Sequence, residues 1–410
     1  MAALLFLLLA ANNLIKILRD SIFLGHHSVS ELPYLYILVA IVAGAIIATY
    51  TKYTARLSLT RLMVATNAIL LSNIVFFWFL LTYFDPAWSH YAFYIWSAIA
   101  SVIAVAQLWT LANQIFTAEE GKRLFGVVAA GGTAGGVAAA LGAKWSLHLT
   151  VESNHLLWCG GGLYLAASAV VLWAERRLRE RIPERRLGVP EQPDEARVSG
   201  IGELLASSTY LKTIAVLILV SVIVSTLIDF QLKTSAKETY PTTAALAGFF
   251  SSYYGWLSVA TLSAQVLLTG RSLSKLGLNS SLYLTPAALL TGSLALMIQP
   301  TLLTAALTRM ADATLRNSIH RSSMEMIYMP LPGNVKRTIK TFLDVVVERT
   351  GDAAAGFVIL FFSLSLVERY VTYVHFICVA LILVWVALIR FIRIGNLEIL
   401  ADRFIQRSLE

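Results

Sequence analysis

The sequence predicts an all-α membrane protein with twelve transmembrane helices. Apolar residues make up 57% of the 410 residues, whereas charged residues make up only 14%. The mean hydropathy is +0.71. Soluble domains typically carry about 25% charged residues, so the composition excludes a water-soluble multidomain enzyme. The many aliphatic and aromatic residues also exclude a disordered chain.

Each predicted span is a run of about 20 mostly apolar residues, the length at which a helix crosses a bilayer. Nine runs are clear, namely 33–50, 62–83, 92–116, 156–174, 209–230, 244–269, 281–298, 341–364 and 370–392. Three weaker runs contain charged residues or many small ones, and they complete the set of twelve: 2–24, 124–146 and 301–327.

The distribution of basic residues predicts the orientation of the helices. Clusters of Lys and Arg follow the even-numbered predicted helices, whereas the loops 25–32, 85–90 and 299–300 contain neither residue. Since basic loops remain in the cytoplasm, both chain termini are predicted to be cytoplasmic.

The longest polar stretch divides the predicted helices into two groups of six. We therefore predict an N-terminal six-helix bundle over 1–175, a cytoplasmic linker over 176–206, a C-terminal six-helix bundle over 207–394 and a cytoplasmic tail over 395–410. This order is the layout of the major facilitator superfamily, in which the two halves are pseudosymmetric parallel repeats.

Ionisable residues within the predicted spans are the strongest functional signal. In the tenth helix Arg309, Asp312, Arg316 and His320 are spaced by three, four and four residues, as expected for one helical face. A charge at mid-bilayer costs about 2.5–3.5 kcal/mol, so such groups are expected to face partners or a water-filled cavity.

Similar polar residues occur in the first, fourth, seventh and eleventh predicted helices. We predict two sets of functional residues from this pattern. The predicted substrate-binding residues are Asn12, Lys16, Arg19, Asn113, Lys233, Arg309 and Arg316. The predicted gating or coupling residues are Asp20, Asp229, Asp312 and Asp344.

Three roles for these charges remain open at this point. The excess of cations suits an anionic substrate that carries phosphate. The carboxylates could instead serve as proton sites for symport, or the charges could only form internal salt bridges.

No catalytic residue, cofactor or metal site is expected: the adjacent His26 and His27 cannot share one helix face. The glycines at 131, 132, 135 and 136 lack the Lys-Ser or Lys-Thr of a phosphate loop and fit close helix packing.

Several short motifs resemble the ATP/ADP translocase (nucleotide transporter) family of plastids and intracellular bacteria, and in particular its branch from free-living bacteria. In the first helix the motif is Lys16-Ile-Leu-Arg19-Asp20, and at the junction of the fourth and fifth helices it is the stretch from Leu108 to Gly126, which includes Asn113 and Lys122-Arg123. The seventh helix contains Asp229-Phe-Gln-Leu-Lys233 and Lys237. The region of the tenth and eleventh helices contains Tyr328-Met-Pro-Leu-Pro, followed by Lys336, Lys340, Asp344 and Gly351-Asp352. One departure is that the exchangers of this family have Glu-x-x-Trp-Lys where this chain has Asp229-Phe-Gln-Leu-Lys233.

The resemblance implies a secondary transporter, not an enzyme, that exchanges nucleotides by alternating access in the bacterial inner membrane. The expected partners are the nucleotide and the lipid bilayer, without nucleic acid, and the expected oligomeric state is a monomer. Two alternatives remain. One is a proton-coupled carrier of another organic anion or a lysolipid, and the other is a membrane receptor or scaffold that does not transport.

Overall fold

The structure is a computed structural model that describes residues 1–54, 59–115, 118–148, 153–179, 205, 208–267, 269–328, 339–340, 342–364 and 370–409. Most of the predicted linker 176–206 lies outside these residues. For some stretches, among them 109–110, 112–115, 118–127 and 393–409, only the backbone is described.

The described residues form twelve helices, in agreement with the predicted number. Their bounds are α1 Ala2–His26, α2 Leu32–Thr54, α3 Leu59–Tyr83, α4 Ala87–Ile115, α5 Ala118–His148, α6 Leu156–Arg179, α7 Thr209–Thr239, α8 Thr243–Leu267, α9 Thr269–Ile298, α10 Leu302–Ile327, α11 Leu343–Leu364 and α12 Tyr370–Leu409. Because α12 continues to Leu409, the predicted tail is an extension of the last helix.

Eight of the described helices are, by length and composition, able to cross a membrane on their own. The qualifying segments are Ala2–His26, Val29–Ile46, Arg61–Tyr83, Ala87–Leu108, Leu156–Ala174, Thr209–Thr239, Ser280–Ile298 and Tyr370–Ile392. The other four helices, α5, α8, α10 and α11, are less apolar or contain charged residues, and they include two of the three spans predicted to be weak.

Two helices contain a π-helical segment, in which one residue more than usual occupies a turn. In α10 the segment is Arg316–His320, between the α-helical parts Leu302–Leu315 and Arg321–Ile327. In α11 it is Leu343–Val347, at the start of the helix. Each π segment includes a predicted functional residue, namely Arg316 and Asp344.

The chain divides into two units that are not continuous in sequence. One unit comprises Met1–Val29, Ala45–Gln192 and Ala236–Leu262, and the other comprises Ser30–Gly44, Pro193–Ser235 and Ser263–Glu410. The first unit therefore contains most of α8, and the second contains the first part of α2. For brevity they are called unit 1 and unit 2.

In unit 1, α1 packs against α4, α5 and α6, and its contact with α5 depends on glycine. A Cβ atom on Gly135 would lie 2.2 Å from the carbonyl oxygen of Phe6, and one on Gly131 would lie 2.8 Å from that of Ala2. No larger residue fits where two helix backbones approach this closely. The predicted packing role of these glycines is thus confirmed.

In unit 2, α9 packs against α10 and α12, and α7 packs closely against α11. A Cβ atom on Gly351 would lie 2.8 Å from the side chain of Val222. The first part of α2 lies against α11 at Gly356, where an added Cβ would be 2.9 Å from the carbonyl oxygen of Pro33.

Candidate functional site

The charged residues of α1 lie in unit 1 and are held by two tyrosines. Asp20 is fully buried and pairs with its neighbour Arg19, whose guanidinium nitrogen is 2.8 Å from the carboxylate. Tyr254 of α8 donates a 2.6 Å hydrogen bond to the other oxygen of Asp20. The Lys16 Nζ atom lies 4.4 Å from the centre of the Tyr254 ring, and Arg19 lies 4.5 Å from that of Tyr94. Both cations therefore make cation–π contacts.

Asn12, one turn before Lys16 in α1, contacts a different helix. The Oδ1 atom of its side-chain amide accepts a 2.6 Å hydrogen bond from the Tyr164 hydroxyl of α6. Its Nδ2 atom is buried and has no hydrogen-bond partner within the described part of the chain. Burying an amide donor without a partner costs about 1–3 kcal/mol, so this group is a candidate donor to a ligand.

The charged residues of α7 and α10 come together in unit 2. Lys233 is buried, and its Nζ atom is 2.7 Å from one oxygen of Asp229. Arg309 of α10 donates to the other oxygen of Asp229 at 3.1 Å. Tyr36 of α2 also donates to Asp229 at 3.1 Å, and its ring centre lies 5.4 Å from the Lys233 Nζ atom. Asp229 thus accepts from two cations and one tyrosine.

Asp312 extends this network along α10. It is fully buried and pairs with Arg309 and with Arg316, whose nitrogen is 3.3 Å from the carboxylate. Ser225 of α7 donates to Asp312 at 2.6 Å. Arg316 also donates to the backbone carbonyl of Ser221 at 2.8 Å.

The guanidinium of Arg316 has a hydrogen-bond donor available for a ligand. Its side chain is 25% exposed, and its Nε atom is buried without a hydrogen-bond partner among the described residues. A guanidinium has five donors in a planar fork, which matches the oxygens of carboxylate and phosphate. Arg316 is therefore the residue of this network best placed to accept an additional anionic group.

Both clusters hold more positive than negative charge. In unit 2 three cations surround two carboxylates, and in unit 1 two cations accompany one carboxylate. Each cluster therefore has one positive charge in excess, and several of its donors already bind oxygen atoms of carboxylates. Phosphate oxygens can take the same donors, because charge-assisted hydrogen bonds to the two groups have similar geometry.

The stripe predicted along α10 enters the π segment at Arg316. His320, the last residue of that segment, is buried and packs edge-on against Trp385 of α12 with ring centres 5.5 Å apart.

The two remaining candidates are Asp344 and Asn113. Asp344 is exposed in the π segment of α11. In the described part of α11, Asp352 accepts from Thr226 of α7 at 2.8 Å and pairs with Arg349. The backbone of Asn113 belongs to α4, but its side chain lies outside the described residues.

Two tyrosines contribute to the clusters but were not identified from the sequence. Tyr36 and Tyr254 occur in apolar runs of the second and eighth helices, where a tyrosine usually serves as a packing residue. They nevertheless have equivalent roles, since each donates to an aspartate and places its ring near a lysine. Their location on equivalent helices of the predicted repeat, the second and the eighth, was the available signal.

The arrangement of the helices matches solved structures of the major facilitator fold. The nucleoside transporter NupG superposes with a TM-score of 0.64 at 12% identity, over 96% of this chain and 98% of that chain. A D-xylose-proton symporter superposes with a TM-score of 0.62 at 12% identity, over 94% and 95% of the two chains. The helices and these superpositions define a twelve-helix, two-bundle membrane protein of this fold.

The family follows from the sequence comparisons. Residues 78–394 match the family model described as TLC ATP/ADP transporter, so the chain belongs to that family of multi-pass membrane transporters. The predicted resemblance to ATP/ADP translocases is thereby confirmed.

Curated relatives carry the corresponding names. ADP,ATP carrier protein 2 of Chlamydia pneumoniae is 22% identical over 74% of this chain and 65% of its own length. The chloroplastic ADP,ATP carrier protein 1 of Arabidopsis thaliana is 22% identical over 73% of this chain and 53% of its own. The chain thus spans less than two thirds of the length of these two relatives.

Proposed function

We propose that this protein exchanges nucleotides, with ATP and ADP as the favoured pair, across a bacterial inner membrane by alternating access. The observation that carries the proposal is the unit 2 network, in which three cations surround two carboxylates and Arg316 keeps a buried Nε donor without a partner. The family and the names of the curated relatives support a nucleotide as the anion.

In this proposal Lys16, Arg19, Lys233, Arg309 and Arg316 are phosphate-binding residues, and Asn12 and Asn113 are additional polar contacts. The aspartates Asp20, Asp229 and Asp312 hold the cations in position without substrate and yield donors to phosphate oxygens when a nucleotide binds. A carboxylate that competes with substrate for the same arginine keeps binding reversible, which transport requires. Asp344 is proposed as a gating residue at the start of α11.

The decisive experiment is counter-exchange in proteoliposomes made with the purified protein. Vesicles loaded with ADP should take up labelled ATP, and vesicles loaded with buffer alone should not. Arg316→Ala should abolish uptake because it removes the partly exposed guanidinium. Arg321→Ala is the matched control, since it removes an exposed arginine from the same helix and should leave uptake unchanged.

Other outcomes would contradict the proposal. If the intact protein moved no nucleotide but carried another organic anion or a lysolipid in response to a pH gradient, the proton-coupled alternative would be correct. If nucleotides bound tightly without any flux, a receptor role would be indicated. Chromatography of the released nucleotide should show ATP unchanged, because we expect transport without chemical conversion.

We also infer that both termini face the cytoplasm and that the protein acts as a monomer. The orientation is supported by the basic residues in alternate loops, such as Lys52 and Arg186. Alkaline phosphatase fused after Leu409 should be inactive in cells, whereas a fluorescent protein at the same position should fluoresce. The mass of the protein in nanodiscs should correspond to one chain.

A further inference from the structure

A cluster of two histidines and an aspartate lies in unit 1, apart from the charged networks described above. His26 is the last residue of α1, His90 belongs to the first turn of α4, and Asp85 lies in the turn that joins α3 to α4. One potential ligand atom from each of them lies within 4.8 Å of the others. His90 is buried, whereas the side chains of His26 and Asp85 are 40% and 46% exposed, so the cluster is open on one side.

The hydrogen bonds of His26 fix which ring nitrogen is available. Its Nδ1 atom lies 2.9 Å from the carbonyl oxygen of Ile22, one turn earlier in α1. A carbonyl can only accept, so Nδ1 carries the proton and donates it. When the ring is neutral, Nε2 therefore has a free lone pair. That atom is directed at Asp85, 3.7 Å from a carboxylate oxygen.

His90 has a hydrogen-bond partner on each side of its ring. Its Nε2 atom is 2.8 Å from Asp85, and its Nδ1 atom is 3.0 Å from Nε2 of His27. Without a cation, a proton on Nε2 donates to Asp85, and Nδ1 accepts from His27. With the proton on Nδ1, His90 donates to His27, and the lone pair of Nε2 faces the carboxylate and the lone pair of His26. A cation at this point would favour the second arrangement.

The three imidazole rings pack against one another. His26 and His90 are stacked with centroids 4.4 Å apart, and His27 lies edge-on to His90 at 5.1 Å. Neutral imidazole is the form that binds metal ions.

We propose that His26 Nε2, His90 Nε2 and a carboxylate oxygen of Asp85 form a binding site for a divalent transition metal ion, with Zn²⁺ the best match. Two imidazoles and one carboxylate are a common ligand set for this ion. Bonds of about 2.0–2.1 Å in a tetrahedron place neighbouring ligand atoms about 3.4 Å apart. His90 Nε2 lies 2.8 Å from one oxygen of Asp85, and His26 Nε2 lies 3.7 Å from the other, so both imidazoles approach the carboxylate to about this distance.

The surrounding residues complete the site in the way that metal sites require. The Ile22 carbonyl accepts the Nδ1 proton of His26, and in the metal-bound arrangement His27 would accept that of His90, so both rings would be oriented. The backbone of Asp85 has φ 42°, the left-handed conformation in which glycine or asparagine commonly ends a helix. An aspartate here adds the carboxylate that the site needs. The fourth position faces the exposed side and is left for water.

The test is a Zn²⁺ titration of the purified full-length protein at neutral pH, with the affinity measured by competition with a chromogenic chelator. We expect one ion per chain. His26→Gln and Asp85→Asn should each weaken Zn²⁺ binding at least tenfold. Both replaced side chains are partly exposed, and asparagine suits the left-handed backbone and still accepts from His90, so both variants should fold.

His155→Gln is the matched control, because His155 is another exposed histidine of unit 1. Its affinity for Zn²⁺ should equal that of the unchanged protein. X-ray absorption of the bound ion should show imidazole ligands, and His27→Gln should weaken binding by about 10–100-fold through loss of the oriented ring. Failure of the unchanged protein to bind Zn²⁺, or equal binding by the His26→Gln and Asp85→Asn variants, would overturn the proposal.

Discussion

Asp312 should be essential for stability, because it is the buried carboxylate on which two arginines depend. In Asp312→Ala, Arg309 and Arg316 lose their shared partner inside unit 2. Removing one member of a buried ion pair costs about 3–5 kcal/mol. The two arginine side chains are 18% and 25% exposed and keep other acceptors, so the lower end of this range, about 3 kcal/mol, is expected.

The assay is unfolding of the purified protein in mixed micelles, followed by tryptophan fluorescence. Asp344→Asn is the control: Asp344 is an exposed acid of the same unit, and its replacement should change the free energy of unfolding by no more than about 0.5 kcal/mol. If Asp312→Ala unfolded at the same denaturant concentration as the unchanged protein, the assignment of Asp312 as the centre of the network would be wrong.

A triple variant separates stability from transport. Arg309→Met, Asp312→Leu and Arg316→Met together replace the α10 part of the network by apolar side chains of similar size. Such replacements are often neutral or stabilising, so most of the stability lost in Asp312→Ala should return. Nucleotide exchange should remain absent. Recovery of both properties would show that these charges have no part in substrate binding.

Two further predictions concern the tyrosines that donate to aspartates and the glycines of α5. Tyr254→Phe should lower the free energy of unfolding by about 1.5–3 kcal/mol, because it removes a hydrogen bond to the buried carboxylate of Asp20. Tyr36→Phe should cost less in the same unfolding assay, since its carboxylate partner keeps two cations. Gly135→Ala should sharply reduce the yield of folded protein in size-exclusion chromatography, because its Cβ would collide with a carbonyl of α1. Gly142→Ala should keep or raise that yield, since nothing lies within 4 Å of the added atom.

The number of helices could be predicted from sequence because each span has to satisfy a composition rule that is local. Even the weak spans were identifiable, since the alternation of basic loops required them. The π segments could not be predicted, because Arg316–His320 and Leu343–Val347 contain neither glycine nor proline, the residues that most clearly interrupt a regular α-helix. They depend on how α10 and α11 pack against their neighbours.

For the candidate site, the cost of burying charge drew attention to the ionisable residues within the spans but not to their partners. The spacing of Asp229 and Lys233 predicted their pairing, and the spacing of Arg309, Asp312 and Arg316 predicted a shared face. The contact between these two groups, through Arg309 and Asp229, is tertiary and has no sequence signal. The same holds for His26 and His90, which are far apart in sequence. His26 and His27 were considered only as adjacent residues, and the turn that brings Asp85 to them could not be foreseen.

The exchange of helices between the two parts of the chain has a consequence for biosynthesis. Unit 1 includes Ala236–Leu262, so it cannot be completed when the ribosome has made only the first six helices. Until α8 enters the membrane, Asp20 lacks the hydroxyl of Tyr254, and the glycine face of α5 lacks its contact with Ser258. The early helices must therefore wait in the bilayer, incompletely assembled, while α7 is translated. Chaperones or the insertion machinery that shield a nascent helix from lipid would have their main role in this interval.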